Sequence, residues 1–148
     1  MIVNAWNRNV IPWWLLWPQG VSRAIRKRAG TGPLREAARH GPIALGGAVL
    51  TGAGRLPYQG IIHVAGINLW WFATERSIRG SVRSAMRIVG ERGFQSVAFP
   101  IIGSGSGQRS REAALKMMLD ELAGIETEAE VRIVRYVRGD AIPSASKS

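Results

Sequence analysis

Glycine and serine alternate after an apolar run in Phe99-Pro100-Ile101-Ile102-Gly103-Ser104-Gly105-Ser106-Gly107, and a helix-forming stretch follows from Ser110. Backbone amides without side chains can close on an anion, and the positive end of a helix dipole adds to the attraction. The chemistry this suits is the holding of a phosphate or diphosphate. It is not the loop of a nucleoside-triphosphate-binding protein, because Gln108-Arg109-Ser110 stands where that loop carries Lys and then Ser or Thr. The strict alternation also departs from the dinucleotide fingerprint. Taken alone, the run is equally a tight strand-to-helix turn.

A second cluster lies at the start, in Ile2-Val3-Asn4-Ala5-Trp6-Asn7. An amide side chain donates and accepts, so it can orient a pair of ribose hydroxyls. Asn4, inside the apolar run, reads as a buried structural amide. Asn7, at its end, reads as a ligand contact or a turn residue. Gln19-Gly20-Val21-Ser22 precedes a helical pattern, and the free amides of that helix start form a second candidate anion site. Ser22 is open between helix cap, ligand contact and neither. His63, in the apolar run Ile61-Ile62-His63-Val64-Ala65, reads as a hydrogen-bonded core histidine. Trp13, Trp14 and Trp17 read as a loop packed over a pocket or against a partner.

Residues 2–6 predict a buried strand. Val21, Ala24, Ile25 and Ala29 recur at helical spacing over 21–29, with Gly30 as the stop, and Pro33 suits the start of a helix over 33–39. Strands follow at 46–51 and 61–65, the second apolar throughout as if covered on both faces. Thr74 predicts the cap of a helix through about 91, with Ile78, Val82, Ala85, Met86 and Val89 on one stripe and Arg76, Arg79, Arg83 and Arg87 on the other. A central strand at 96–101, a helix at 109–123 and a last strand at 131–137 complete the order. Strands alternating with helices imply an α/β domain with a mostly parallel sheet and helices on both faces.

The 148 residues fit one domain, with 46% hydrophobic and 20% charged residues, an ordinary globular balance. With no Cys and two His, there is no disulfide framework or thiolate metal site, and nothing calls for a metal or cofactor. No secretory signal is visible, and the Pro12–Pro18 segment is too short to span a bilayer, so a cytoplasmic location is expected. The formal net charge of +10 favours polyanionic company.

In these motifs the sequence resembles the macrodomain family of ADP-ribose-binding modules. Val3-Asn4-Ala5-Trp6-Asn7 looks like the family's Val-Asn-Ala-Ala-Asn, and Gly20-Val21-Ser22-Arg23-Ala24-Ile25 looks like its Gly-Val-Asp-Gly-Ala-Ile. Gly47-Ala48-Val49-Leu50-Thr51 resembles a family strand, and Ile62-His63-Val64-Ala65-Gly66 is similar to Ile-His-x-Val-Gly. Ala98 to Gly105 looks like Ala-Phe-Pro-x-Ile-Ser-Thr-Gly. The matches run in family order over roughly 2–138, and five in order are rather specific.

The resemblance implies a three-layer α/β/α sandwich with a mixed, mostly parallel sheet over residues 1–138, with 139–148 a disordered tail. It implies that Asn7 contacts the distal ribose and that Ile102 helps wall the ribose site. Gly20 and Val21 would embrace the diphosphate from one side, and Gly103, Ser104, Gly105, Ser106 and Gly107 from the other. The ligand would be ADP-ribose or an ADP-ribosylated substrate, with Asn7 and Ser22 at the catalytic positions if the group is removed by hydrolysis. Ser22 stands where many hydrolytic members carry Asp, and Ser is a much poorer base at neutral pH. Gly107 replaces an aromatic of the family loop.

Macrodomains begin with an earlier strand and a Gly-Asp-Ile segment whose Asp contacts adenine, whereas this sequence starts at what resembles the following strand. The expected consequence is an exposed sheet edge and self-association. Val137-Arg138-Gly139-Asp140-Ala141-Ile142 resembles that segment, which would bring Asp140 to the adenine in a permuted chain; a last strand with a tail is the plainer reading. The alternative function is a non-catalytic module for RNA or poly(ADP-ribose), using the Arg76/Arg79/Arg83/Arg87 face.

Overall fold

A computed structural model describes residues 1–8, 10, 20–68, 70, 72–105 and 108–135. The Trp13–Trp17 loop, Ser106, Gly107, Asp140 and the 139–148 tail lie outside the described residues. The elements run β1 (Ile2–Trp6), α1 (Gly20–Ala29), α2 (Gly32–Arg39), β2 (Ala48–Thr51), β3 (Ile61–Ala65), α3 (Glu75–Arg92), β4 (Ser96–Pro100), α4 (Arg111–Ala123) and β5 (Glu130–Val134).

The five strands form one mixed sheet in the order β2-β3-β1-β4-β5. β1 pairs in parallel with β3 and β4, β4 with β5 likewise, and only β2 runs antiparallel to its neighbour β3. Side chains alternate across the sheet. Val3, Ile62, Val64, Val97 and Phe99 join Ile78, Val82, Ala85, Met86 and Val89 of α3 and Ala114 and Met118 of α4 in the main core. The opposite side chains, Trp6, Ile61 and Ala65, pack with Ile25 and Ala29 of α1 and Leu34 of α2 in two smaller clusters. The result is the three-layer α/β/α arrangement with a mostly parallel sheet that the sequence implies.

Local chemistry accounts for the element ends. Thr74 caps α3 with a reciprocal box: its hydroxyl accepts from Ser77 N, and Ser77 Oγ accepts from Thr74 N. Gly93 closes α3 in the left-handed region at φ 65°. β2 starts at Ala48 rather than 46, because Gly46 sits at φ 80° and turns the chain there. Ser110 caps α4 by accepting from Ala113 N, so that helix starts at Arg111 rather than 109. β5 ends at Val134, short of the expected 137, and residues 136 and 137 lie outside the described set.

α1 is rolled relative to its expected stripe. Ser22, Ile25 and Ala29 face inward, while Val21 is 38% exposed and Ala24 is exposed. The cause is the buried polar row beneath the helix, which requires a hydroxyl above it.

Candidate functional site

Asn4 and His63 are opposed across the β1–β3 ladder, and both are fully buried on the α1 side of the sheet. An unpaired polar group there would cost about 1–3 kcal/mol. Each has its partners. Ser22 Oγ donates to Asn4 Oδ1 at 2.7 Å and lies 2.9 Å from Ala5 O. Asn4 Nδ2 can only donate, so His63 Nδ1, 3.1 Å away, accepts. That sets the ring proton on Nε2, which donates to Thr51 Oγ1 at 2.9 Å, and Thr51 passes its own proton to Gly52 O at 3.0 Å. The row therefore runs in one sense from α1 through β1 and β3 to the end of β2. Burial, and secondarily the charge of His40, push the His63 pKa down to about 4, so the ring is neutral at physiological pH. Trp6 closes over it edge-on, centroids 6.1 Å apart.

This row fixes where α1 begins. Gly20, its first residue, takes φ 54°, a conformation that suits glycine, and a Cβ there would meet nothing within 4 Å. Gly20 and Val21 are exposed, and Ser22, next in the chain, ties them to β1.

The second loop leaves the end of β4. Ile102 is fully buried, its N–H directed at Met118 Sδ, and its Cγ2 lies so close to Gly66 that a Cβ there would be 2.6 Å away. Gly103, at φ 86°, is equally constrained: a Cβ would meet Ala73 Cβ at 2.6 Å. Ser104 Oγ donates back to Ile101 O at 2.9 Å, and Arg109 N donates to Gly103 O at 3.1 Å, drawing the loop round on itself. The Arg109 guanidinium donates to Ala73 O at 3.0 Å, which ties this loop to the one before α3. Gly105 is exposed, and a Cβ on it would meet nothing within 4 Å. The loop thus has a rigid base at Ile102–Gly103 and an open tip at Gly105.

Topology brings the ends of β1 and β4 side by side. From β1 the chain goes outward to β2 and β3, then crosses by α3 to β4 on the other side of β1. The gap between β1 and β4 is therefore the switch point of the sheet, where ligands of open α/β sheets bind beyond the carboxyl ends. The ladder between these strands is the single pair Ile2↔Ala98. Pro100, having no N–H, cannot extend it. Counting on from that pair, Asn7 is level with Gly103. Asn7 is half-buried at this end. Asn7 and Gly103 so lie level at the carboxyl end of the sheet, whereas Ser22 is 7% exposed and faces the buried row.

Sequence reasoning treated Asn4, Ser22, His63 and Thr51 one by one and missed that they form a unit. The available signal was one polar residue on each of three successive apolar strands. Three of the α3 arginines meet acids: Arg79 meets Glu75, Asp120 and Glu121, Arg83 meets Glu121, and Arg87 lies 4.0 Å from Glu91. Among the described residues, no group of three or more His, Asp or Glu could hold a metal, and no helix is long and apolar enough to cross a membrane.

The family model for the Macro domain matches residues 3–118. A macro domain-containing protein of Streptomyces griseus is 37% identical over 150 aligned residues, covering 95% of this chain and 80% of that protein. An uncharacterized Mycobacterium tuberculosis protein is 31% identical over 85% of this chain, which spans only 35% of that relative's length. Among solved structures, the Oceanobacillus iheyensis macrodomain with ADP superposes at a TM-score of 0.77 with 25% identity, covering 93% of this chain and 76% of that one. The Trypanosoma brucei macrodomain in complex with ADP-ribose gives 0.75 and 25% identity, over 89% and 55%.

Proposed function

Because the chain belongs to the Macro domain family, we propose that it binds ADP-ribose, free or attached to a larger molecule, in the crevice between β1 and β4. The observation that carries this reading is the switch-point placement of the turn at Gly103, level with Asn7. Amides of the two loops would face the diphosphate from opposite sides, helped by the dipole of α1. Asn7 would take the distal ribose hydroxyls, and Ile102 would form the apolar floor. Binding at an ADP- or ADP-ribose-occupied site in similar structures supports the ligand class.

Removal of an ADP-ribosyl group by water is the second part of the proposal. α1 carries no acidic residue in its first turn, so no side chain there can act as an efficient base. Water would instead be activated by the bound diphosphate, with Asn7 and the loop amides holding the ribose in place. Ser22 acts as a positioning residue, since its proton is committed to Asn4 and its hydroxyl abuts Ala5 O.

Calorimetric titration with ADP-ribose, AMP and ribose 5-phosphate tests the binding reading. Saturable binding of ADP-ribose at least tenfold tighter than either fragment is expected. No heat from ADP-ribose with a folded sample would overturn it. A turnover assay on ADP-ribosylated protein then tests the hydrolytic part separately.

A further inference from the structure

Positive charge is segregated in this fold. Residues 1–72 hold eight of the 20 Lys and Arg but only one of the ten Asp and Glu, a net of +7 out of +10. These residues include the whole α1/α2 layer. Arg23, Lys27, Arg28, Arg39 and the Arg55 side chain are exposed on it. Its single acid, Glu36, accepts the Gly52 N–H at 2.9 Å and is turned to that loop. On the opposite layer, α3 and α4 interleave both signs, and Arg79, Arg83 and Arg87 meet Glu75, Glu91, Asp120 and Glu121.

This arrangement works against the helices that carry it. Arg23 and Lys27 are four apart on one face of α1, and like charges at that spacing destabilise a helix by a few tenths of a kcal/mol. Arg23 lies in the first turn, the end where a cation is unfavourable. The helix dipole rationalises Lys27 and Arg28 in the last turn, but Arg55 already serves that end, its guanidinium lying 3.4 Å from both Arg28 O and Lys27 O. It adds a further cation beside them.

We propose that the exposed face of α1 and α2 is a docking surface for the phosphate backbone of a nucleic acid, separate from the crevice between β1 and β4. The face supplies long cationic side chains along α1 and at the ends of α2 and the β2–β3 connection. That is the pattern for backbone neutralisation without base readout. A sequence-independent interaction with strong salt dependence follows.

The test uses the full chain and a fluorescein-labelled 20-base-pair DNA duplex, with its single strand in parallel, read by anisotropy at several salt concentrations. Two variants carry the same change in charge: Lys27→Glu/Arg28→Glu on the α1 face, and Arg76→Glu/Arg87→Glu on α3. The expected result is salt-dependent binding by the unaltered chain. Its slope in log K against log salt on the duplex should be about −3.6 to −4.5, as for four or five neutralised phosphates. The α1 pair should lose at least tenfold in affinity and flatten the slope by about two, while the α3 pair changes by less than about threefold. Equal losses from the two pairs would overturn the proposal, since only net charge would then matter. So would no binding by the unaltered chain, or equal competition by polyglutamate. Thermal melts report whether each variant folds. Anisotropy does not use the crevice, so a failure to bind ADP-ribose would overturn the crevice reading and leave this result intact.

Discussion

Ser22 Oγ donates to Asn4 Oδ1 at 2.7 Å, joining the first full turn of α1 to the middle of β1 across the layer boundary. Asn4 is fully buried, and beyond it lie His63 and Thr51. One hydroxyl therefore anchors a four-residue polar row and fixes the first turn of α1 against β1.

Removing that hydroxyl should be felt in both stability and binding. Ser22→Ala leaves Asn4 Oδ1 without its donor in a site closed to water. A loss of about 2 kcal/mol is expected, which for a domain of this size lowers Tm by about 4–8 °C. ADP-ribose affinity should fall with it, because the amides at the start of α1 lose their anchor. A variant with unchanged Tm would show that the bond contributes nothing net. Ser22→Thr, which keeps the hydroxyl, should recover most of the stability if the added methyl is accommodated.

His63 makes the fold sensitive to acid. Its pKa in the folded chain is pushed down to about 4, chiefly by burial and further by His40, against an ordinary value near 6.5. Between these values the unfolded chain binds a proton that the folded chain does not, so stability falls as the pH drops. The loss begins below about pH 7 and reaches about 3 kcal/mol near pH 4. Urea unfolding at pH 7.5, 6.0 and 5.0 measures it. His63→Gln should be less stable at pH 7.5 yet show a much flatter dependence over this interval. An unaltered slope in that variant would assign the acid sensitivity to other groups.

The two ends of the Gly loop should respond differently to substitution. At Gly105 a Cβ meets nothing within 4 Å, so Gly105→Glu is expected to leave Tm within about 2 °C. A carboxylate at the loop tip should nevertheless cut ADP-ribose affinity at least tenfold by repelling the diphosphate. Gly103→Ala is the converse. The position has φ 86°, and the new methyl would sit 2.6 Å from Ala73 Cβ, so it should unfold the chain at markedly lower temperature. Full ADP-ribose affinity in folded Gly105→Glu would place the phosphates outside this loop.

The order of elements was legible because several ends carry local chemistry of their own. Thr74 with Ser77, Gly93 and Ser110 mark helix termini by side-chain hydrogen bonds and backbone freedom that depend on few neighbours. The α3 stripe from Ile78 to Val89 was likewise read in full, since the periodicity of a long helix tolerates a misjudged end. α1 was harder. Val21 and Ala24 fit an apolar stripe as well as Ser22 does not, and the roll that turns Ser22 inward is decided by Asn4, a residue on another element. The acidic partners of the α3 arginines were hidden for the same reason. Asp120 and Glu121 reach Arg79 and Arg83 from α4, roughly forty residues further along the chain, and spacing within one helix carries no trace of them.

Asn7 offers the sharpest separation between a ligand contact and a structural amide. It stands one residue beyond β1, half-buried, and level with Gly103 by the register of the neighbouring strand. If its amide takes the distal ribose, Asn7→Ala should weaken ADP-ribose by about tenfold, the scale of one or two lost hydrogen bonds to a neutral partner. AMP, which has no distal ribose, should bind the variant as it binds the unaltered chain. The ratio of the two affinities is the informative quantity. A loosened β1 end would lower both, and a distal-ribose contact lowers only the first. Equal weakening of ADP-ribose and AMP would assign Asn7 to the scaffold and move the ribose contact to another residue of the crevice.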